Sequence, residues 1–234
     1  MIPLRDINPS HSKPLVTIAL VLVNALAFFY ELSLGDRGLE RLLFTLGMVP
    51  ARIELFPASP DISVGDAFLP LLTSMFLHGG WLHVLGNMWF LWVFGDNVED
   101  RMGHGRFLLF YLLTGVLAGL AHAFTNLESR VPAIGASGAV SGVMGAYLML
   151  FPASRVVTLV TLGFFWFRAN LPAYAMILYW FAIQLLSGSL ALAGPASARG
   201  GVAWWAHIGG FLAGAVLVYV FRRRRRRASY YEPF

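Results

Sequence analysis

The chain has no cysteine. Disulfides, cysteine-ligated metals and thiol catalysis are therefore excluded. Charge is scarce too: Asp, Glu, Lys and Arg make up 12% of the 234 residues, against 58% hydrophobic ones, and mean hydropathy is +0.68. Soluble domains carry about 25% charged residues, so the composition points to a multi-span membrane protein. The net charge of +5 does not signal nucleic-acid binding, because six arginines form one run, Arg222 to Arg227, directly after an apolar segment. A juxtamembrane basic run reads as a cytoplasmic anchor that favours anionic lipid.

Residues 1–13 are polar. The segment from Pro14 to about Leu34 is long enough for a hydrocarbon core, which takes about 20 helical residues. It is longer than a signal-peptide core and has no small-x-small cleavage site, so it reads as a retained first span. Residues 35–77 mix charges, short apolar patches and prolines at 50, 57, 60 and 70, the pattern of a long ordered loop with interfacial helices. Further spans are expected over about Trp81–Val98, Arg106–Phe124, Ser137–Leu150, Leu171–Ala193 and Val202–Phe221. Residues 151–170 read as an interfacial connection, with Gly163-Phe164-Phe165-Trp166-Phe167 as its anchor, and Gly194–Gly201 as a loop. Six spans put both termini on one side. Twelve basic residues then fall on that side against five on the other, so the positive-inside rule makes it the cytoplasm. Without the terminal run the margin is six to five.

Ionisable groups inside spans are rare, since each costs about 2.5–3.5 kcal/mol at mid-helix on insertion scales. Here they are few. Ser137 opens the fourth span in Gly135-Ala136-Ser137-Gly138. The glycines bare its hydroxyl, and the helix start offers unpaired N–H groups and a positive dipole end. His83 and Asn87, four apart, share one face of the second span. His207 lies a turn or two into the sixth. All three spans run inward, so these groups share one depth near the outer face. Small residues after Ser137 (Gly138, Gly142) and after His207 (Gly210, Gly214) allow close helix approach. His207 can then take the Ser137 proton while Ser137 attacks a carbonyl. The Ser137 N–H and the His83 and Asn87 side chains can hold the oxyanion. Asp96, Glu99 and Asp100 lie at the wrong end of the second span to serve as a third member, so the expectation is a dyad.

These pieces together resemble the rhomboid intramembrane serine proteases in their bacterial six-span form. The likeness covers about residues 14–221 and rests on His78-x-x-x-x-His83-x-x-x-Asn87, Val98-Glu99-Asp100-Arg101-Met102-Gly103, Gly135-x-Ser137-Gly138 and Ala206-His207-Ile208-Gly209-Gly210. The resemblance implies an all-α membrane protein: a six-helix bundle whose long first outer loop is partly embedded. It implies a cytoplasmic segment at 1–13, a protease domain at 14–221 and a basic cytoplasmic tail at 222–234. Ser137 and His207 would be the catalytic dyad, with His83, Asn87 and the Ser137 amide at the oxyanion, and His78, Gly135, Gly138 and Gly210 structural beside them. The fifth span and the loop after it would gate lateral access. The expected substrates are transmembrane segments of other proteins, cut without a metal or other cofactor, in a bacterial inner membrane. Two positions depart from the family: Ser141 stands where many members stack an aromatic on the catalytic histidine, and Leu69-Pro70 where many carry Trp-Arg.

Plainer readings compete. His78 is taken as a loop-ordering residue. A metal site is the runner-up for the histidines, but there is no His-Glu-x-x-His and no acidic residue at their depth. His11 and His104 read as solvated loop residues, His122 as facing the interface, and Glu99 with Arg101 as an inner-surface ion pair or cap. Gly142, Gly145, Gly210 and Gly214 are packing residues. As a function, the alternative is a non-catalytic rhomboid-like binder of membrane helices. A transporter would need polar groups continuing through mid-membrane, and they stop near the outer third.

Overall fold

The computed structural model describes residues 1–56, 58–193 and 202–223; the expected loop Gly194–Gly201 and the tail beyond Arg223 lie outside them. The helices are α1 (Leu15–Ser33), α2 (Asp36–Leu46), α3 (Pro50–Leu55), α4 (Val64–Phe68), α5 (Pro70–Thr73), α6 (Trp81–Met102), α7 (His104–Thr125), α8 (Ser137–Leu150), α9 (Ala173–Ala193) and α10 (Trp204–Phe221). The strands are β1 (Ile2–Asp6), β2 (Arg155–Leu162) and β3 (Phe165–Pro172). The helical bundle is as expected, and α2 to α5 fill the long first loop.

Among the described residues four helices, α1, α7, α9 and α10, are long and apolar enough to cross a membrane. A fifth crossing is reached if Val64–Phe76 and Trp81–Met102, which meet at 80°, count as one bent span. The fourth expected span, α8, has 14 residues. That is about 21 Å of helix against a core of about 30 Å. It is short because it is the centre of the bundle: every residue from Gly138 to Tyr147 is buried. With Phe94, Phe107, Phe110 and Tyr111, the α8 side chains Met144 and Tyr147 form the core.

Helix α8 packs on α10 backbone to backbone. A Cβ added to Gly210 would overlap the Gly138 carbonyl oxygen, and one on Gly214 the Gly142 carbonyl oxygen. Gly145 is closed in the same way by the Phe211 carbonyl. Glycine is required at these positions by close approach, the way small residues bring membrane helices together.

Residues 151–170 are not an irregular connection but the larger part of a hairpin. Strands β2 and β3 pair from Arg155↔Pro172 to Leu162↔Phe165. Val156, Thr158 and Val160 are buried in alternation, and β-branched residues suit such a half-buried ladder. The two-residue loop is Gly163–Phe164, with Gly163 at φ +57° and no non-glycine residue at positive φ among those described. A positive first position followed by a negative one is the type II′ hairpin turn. Strand β1 adds antiparallel to β2, in the order β1-β2-β3, with a bulge between Pro3 and Arg5.

The sheet closes the end of the bundle away from the start of α8. There the Tyr147 hydroxyl donates to Asp6 Oδ2 (2.6 Å), Asn97 Nδ2 donates to the same oxygen (2.9 Å), and Asn8 Nδ2 donates to Asn97 Oδ1 (2.5 Å). Glu99, 0% exposed, accepts from the Val16 and Thr17 amides (2.9 and 2.8 Å) and the Thr17 hydroxyl (2.7 Å). It thus caps α1, whose Pro14 has no capping side chain. The expected ion pair with Arg101 is replaced by His104, whose Nδ1 lies 2.6 Å from Glu99 Oε1. His104 is therefore not a free loop residue, and Arg101 lies over the Phe151 ring instead.

Candidate active site

Two fixed points set the start of α8. Gly135 turns at φ +118° and its amide donates to the Ser74 carbonyl (2.9 Å). Just before it, Met48 and Ala133 exchange backbone hydrogen bonds of 3.0 and 2.8 Å, tying this turn to the first loop. Ser137 then opens the helix after Ala136, with no side-chain cap on the first turn. Its amide is among the N–H groups that a helix start leaves unpaired.

His207 comes from the first turn of α10 and meets Ser137 across the glycine contact. Its Nε2 lies 2.8 Å from Ser137 Oγ. Its Nδ1 lies 2.8 Å from Oε1 of Gln184 on α9, and Gln184 Nε2 donates to the Trp180 carbonyl (3.2 Å). Ser141 turns back on its own helix and donates to the Ser137 carbonyl (2.6 Å). The aromatic neighbours of His207 come from elsewhere: Trp180 at 6.0 Å and 36°, and Trp204 at 6.1 Å and 87°.

His83 and Asn87 stand on α6 beside Gly135. A Cβ on Gly135 would come 2.6 Å from His83 Nε2 and 3.7 Å from Asn87 Nδ2, so glycine is needed here for room as well as for φ. His83 Nδ1 accepts from the Gly79 amide at 3.4 Å, which leaves Nε2 to carry the ring proton toward Gly135. Asn87 is 7% exposed, and its Nδ2 has no hydrogen-bond partner. A buried donor without an acceptor is uncommon and calls for a reason.

A cavity of about 1140 Å³ joins these groups. Ser137, His207, His83, Asn87 and Trp180 line it, and the loop 125–133 forms its rim. His78 does not line it. It is 2% exposed, its amide donates to the Glu31 carboxylate (3.1 and 3.2 Å), and its ring packs edge-on against His83 at 5.1 Å. His122, expected at the interface, lines the cavity instead. Among the described residues, Glu128, on the rim loop, is the one acidic residue of that lining. Among the described residues no group of three or more His, Asp or Glu is placed to hold a metal ion.

So Ser137, His207, His83 and Asn87 are brought together, and Gly135, Gly138 and Gly210 provide the close approaches that allow it. Gln184 was missed. Its signal was modest: it is the lone amide in the apolar stretch 173–193.

A model of the rhomboid domain matches residues 66–224. The chain is similar to the rhomboid protease GluP of Bacillus subtilis (strain 168), 32% identical over 155 residues, covering 65% of this chain and 28% of that protein. It is similar to RHOMBOID-like protein 6, mitochondrial, of Arabidopsis thaliana, 33% identical over 150 residues, with 64% and 42% covered. A third relative is the Presenilin-associated rhomboid-like protein, mitochondrial, of Homo sapiens, 30% identical over 146 residues, with 58% and 37% covered. The chain spans less than half the length of each of these three proteins.

Proposed function

The chain belongs to the rhomboid family, and from that premise we propose that it is a serine endopeptidase that hydrolyses peptide bonds in or near transmembrane segments of other membrane proteins. The observation that carries this reading is the 2.8 Å contact between Ser137 Oγ and His207 Nε2 inside an apolar bundle. A serine–imidazole pair at hydrogen-bond distance is the arrangement an activated nucleophile needs.

The chemistry runs as follows. His207 Nε2 takes the hydroxyl proton as Ser137 Oγ attacks the scissile carbonyl. The carbonyl oxygen becomes an oxyanion and accepts hydrogen bonds from the Ser137 amide, Asn87 Nδ2 and His83 Nε2. When the C–N bond breaks, the leaving amine takes the proton from His207. A water then gives His207 a proton, attacks the acyl-serine and releases the acid, returning the hydroxyl to Ser137. No step uses a metal or cofactor. The unpaired Asn87 Nδ2 supports the oxyanion role, since in the resting protein it has no acceptor to lose.

The same proposal has the chain crossing a bacterial inner membrane six times, with residues 1–13 and 222–234 in the cytoplasm and the protease domain at 14–221. The arginine balance supports this orientation. Arg222 to Arg227 is assigned to anionic headgroups of the inner leaflet; Arg222 and Arg223 are described, and the rest lie outside the described residues.

The test is labelling of the purified full chain with a fluorescent fluorophosphonate, followed by cleavage of a transmembrane reporter in vesicles. Labelling and cleavage in wild type, lost in Ser137→Ala and in His207→Ala, is the expected result. A well-folded wild type that neither labels nor cleaves, yet co-purifies with membrane proteins, would overturn it in favour of the non-catalytic helix binder.

A further inference from the structure

Gln184 is buried at 5% exposure in α9, which otherwise offers apolar side chains to the bundle at that level. An amide taken out of water is costly unless both its ends are hydrogen-bonded. The helix itself satisfies one end, because Nε2 donates to the Trp180 carbonyl one turn back (3.2 Å). That bond also fixes which way the amide faces, since a carbonyl can only accept. Oε1 therefore points at His207 Nδ1, 2.8 Å away. Oε1 too can only accept, so Nδ1 must carry the imidazole proton. Nε2 is left with its lone pair, 2.8 Å from the Ser137 hydroxyl, the tautomer a general base requires.

Building on the protease reading above, we propose that Gln184 is the positioning residue of the base: it sets the tautomer and the aim of His207. It does with a neutral amide what a carboxylate does in a three-membered triad. A neutral partner fits the place, because a charge at membrane depth is far more expensive than an amide. It also answers the absence of an aromatic at position 141. Ser141 is spent on its own helix, and Trp180 and Trp204 sit about 6 Å from the imidazole. Aromatic faces at that range limit tilt but do not choose a tautomer. Only the amide oxygen does.

Three readouts on the full chain test this, with variants Gln184→Leu and Gln184→Glu. They are the rate of fluorophosphonate labelling, the thermal unfolding midpoint, and the low-field NMR resonance of the His207 Nδ1 proton, assigned by its disappearance in His207→Ala. Leucine is expected to lower the labelling rate about 10²-fold, erase the low-field resonance and leave the unfolding midpoint near wild type. Glutamate, which keeps an acceptor, is expected to restore labelling to within about tenfold and to keep the resonance. Labelling of Gln184→Leu at the wild-type rate would overturn the proposal. So would parallel losses in both variants that track a lowered unfolding midpoint, because that is a packing effect. A wild type that neither labels nor cleaves defeats the protease reading, not this one. The resonance then decides alone: its persistence in Gln184→Leu rejects Gln184 as the partner of His207, and its loss there upholds it.

Discussion

The two ends of the bundle differ in how completely their buried polar atoms are paired. At the sheet end, Asp6, Asn8, Asn97, Tyr147, Thr17 and Glu99 are joined in hydrogen bonds of 2.5–2.9 Å, and each holds two parts of the chain together. At the other end, Asn87 Nδ2, both ring nitrogens of His78 and Trp205 Nε1 have no partner; they are four of the six such buried side-chain atoms among the described residues, with Asn24 and Tyr111 supplying the rest. A satisfied buried group is a fastening. An unsatisfied one lowers stability, so it persists where something other than stability selects it. Of these residues Asn87 alone lines the cavity, so the comparison marks its amide nitrogen as a donor open to a ligand, although both ends use the same residue types.

Substitutions at the two ends should break along that line. The largest effect is expected for Ser137→Ala and His207→Ala. Cleavage of a transmembrane reporter should fall about 10⁴-fold or more, with little change in unfolding midpoint for Ser137→Ala. Asn87→Ala comes next: about 10²–10³-fold slower cleavage, again with the midpoint preserved, because the amide nitrogen donates to nothing in the resting state. A loss of stability equal to that of a sheet-end variant would erase the distinction. Glu99→Ala should do the reverse. It strands the Val16 and Thr17 donors at the cost of about 1–3 kcal/mol, read as a lower unfolding midpoint, while the cleavage rate of the folded fraction stays put.

The smallest effect concerns pH. Burial pushes the Asp6 carboxyl up from 3.8 to about 6; the nearby Asp96 charge adds to the rise, and the Tyr147 hydroxyl opposes it. The folded chain therefore binds this proton more tightly than the unfolded chain. The resulting stability is fully present below the unfolded value and is lost as pH rises through about 6. The unfolding midpoint should decline as pH rises from 3.8 to about 6, and Asp6→Asn should flatten that decline. An unchanged slope in Asp6→Asn would place the titration elsewhere.

Much of the site was legible in the sequence because a membrane makes polar residues conspicuous. Ser137, His83, Asn87 and His207 stand out from apolar spans, and counting spans puts them at one depth. What stayed hidden was non-local or uncharged. The hairpin 155–172 reads poorly because its aromatic half lacks alternation and the strand that completes its sheet, β1, lies some 150 positions away. Nothing near Asp6 signals burial, since its partners are Asn97 and Tyr147. His104 is exposed, as expected, but its pairing with Glu99 was hidden because Glu99 is needed first at α1. Gln184 does not stand out because membrane depth makes ionisable groups conspicuous, and an amide does not ionise.

The glycine contact between α8 and α10 has one more implication. No side chain stands between the two helices where Gly210 meets Gly138 and Gly214 meets Gly142. The gap between Ser137 and His207 is therefore gauged by backbone atoms, which have no alternative rotamers to settle into. Such a junction is a hard stop and not a spring. A bulkier residue can force it apart, but nothing in it can be adjusted by degrees. Any adjustability in this site must come from its other walls, α6, α9 and the loop 125–133.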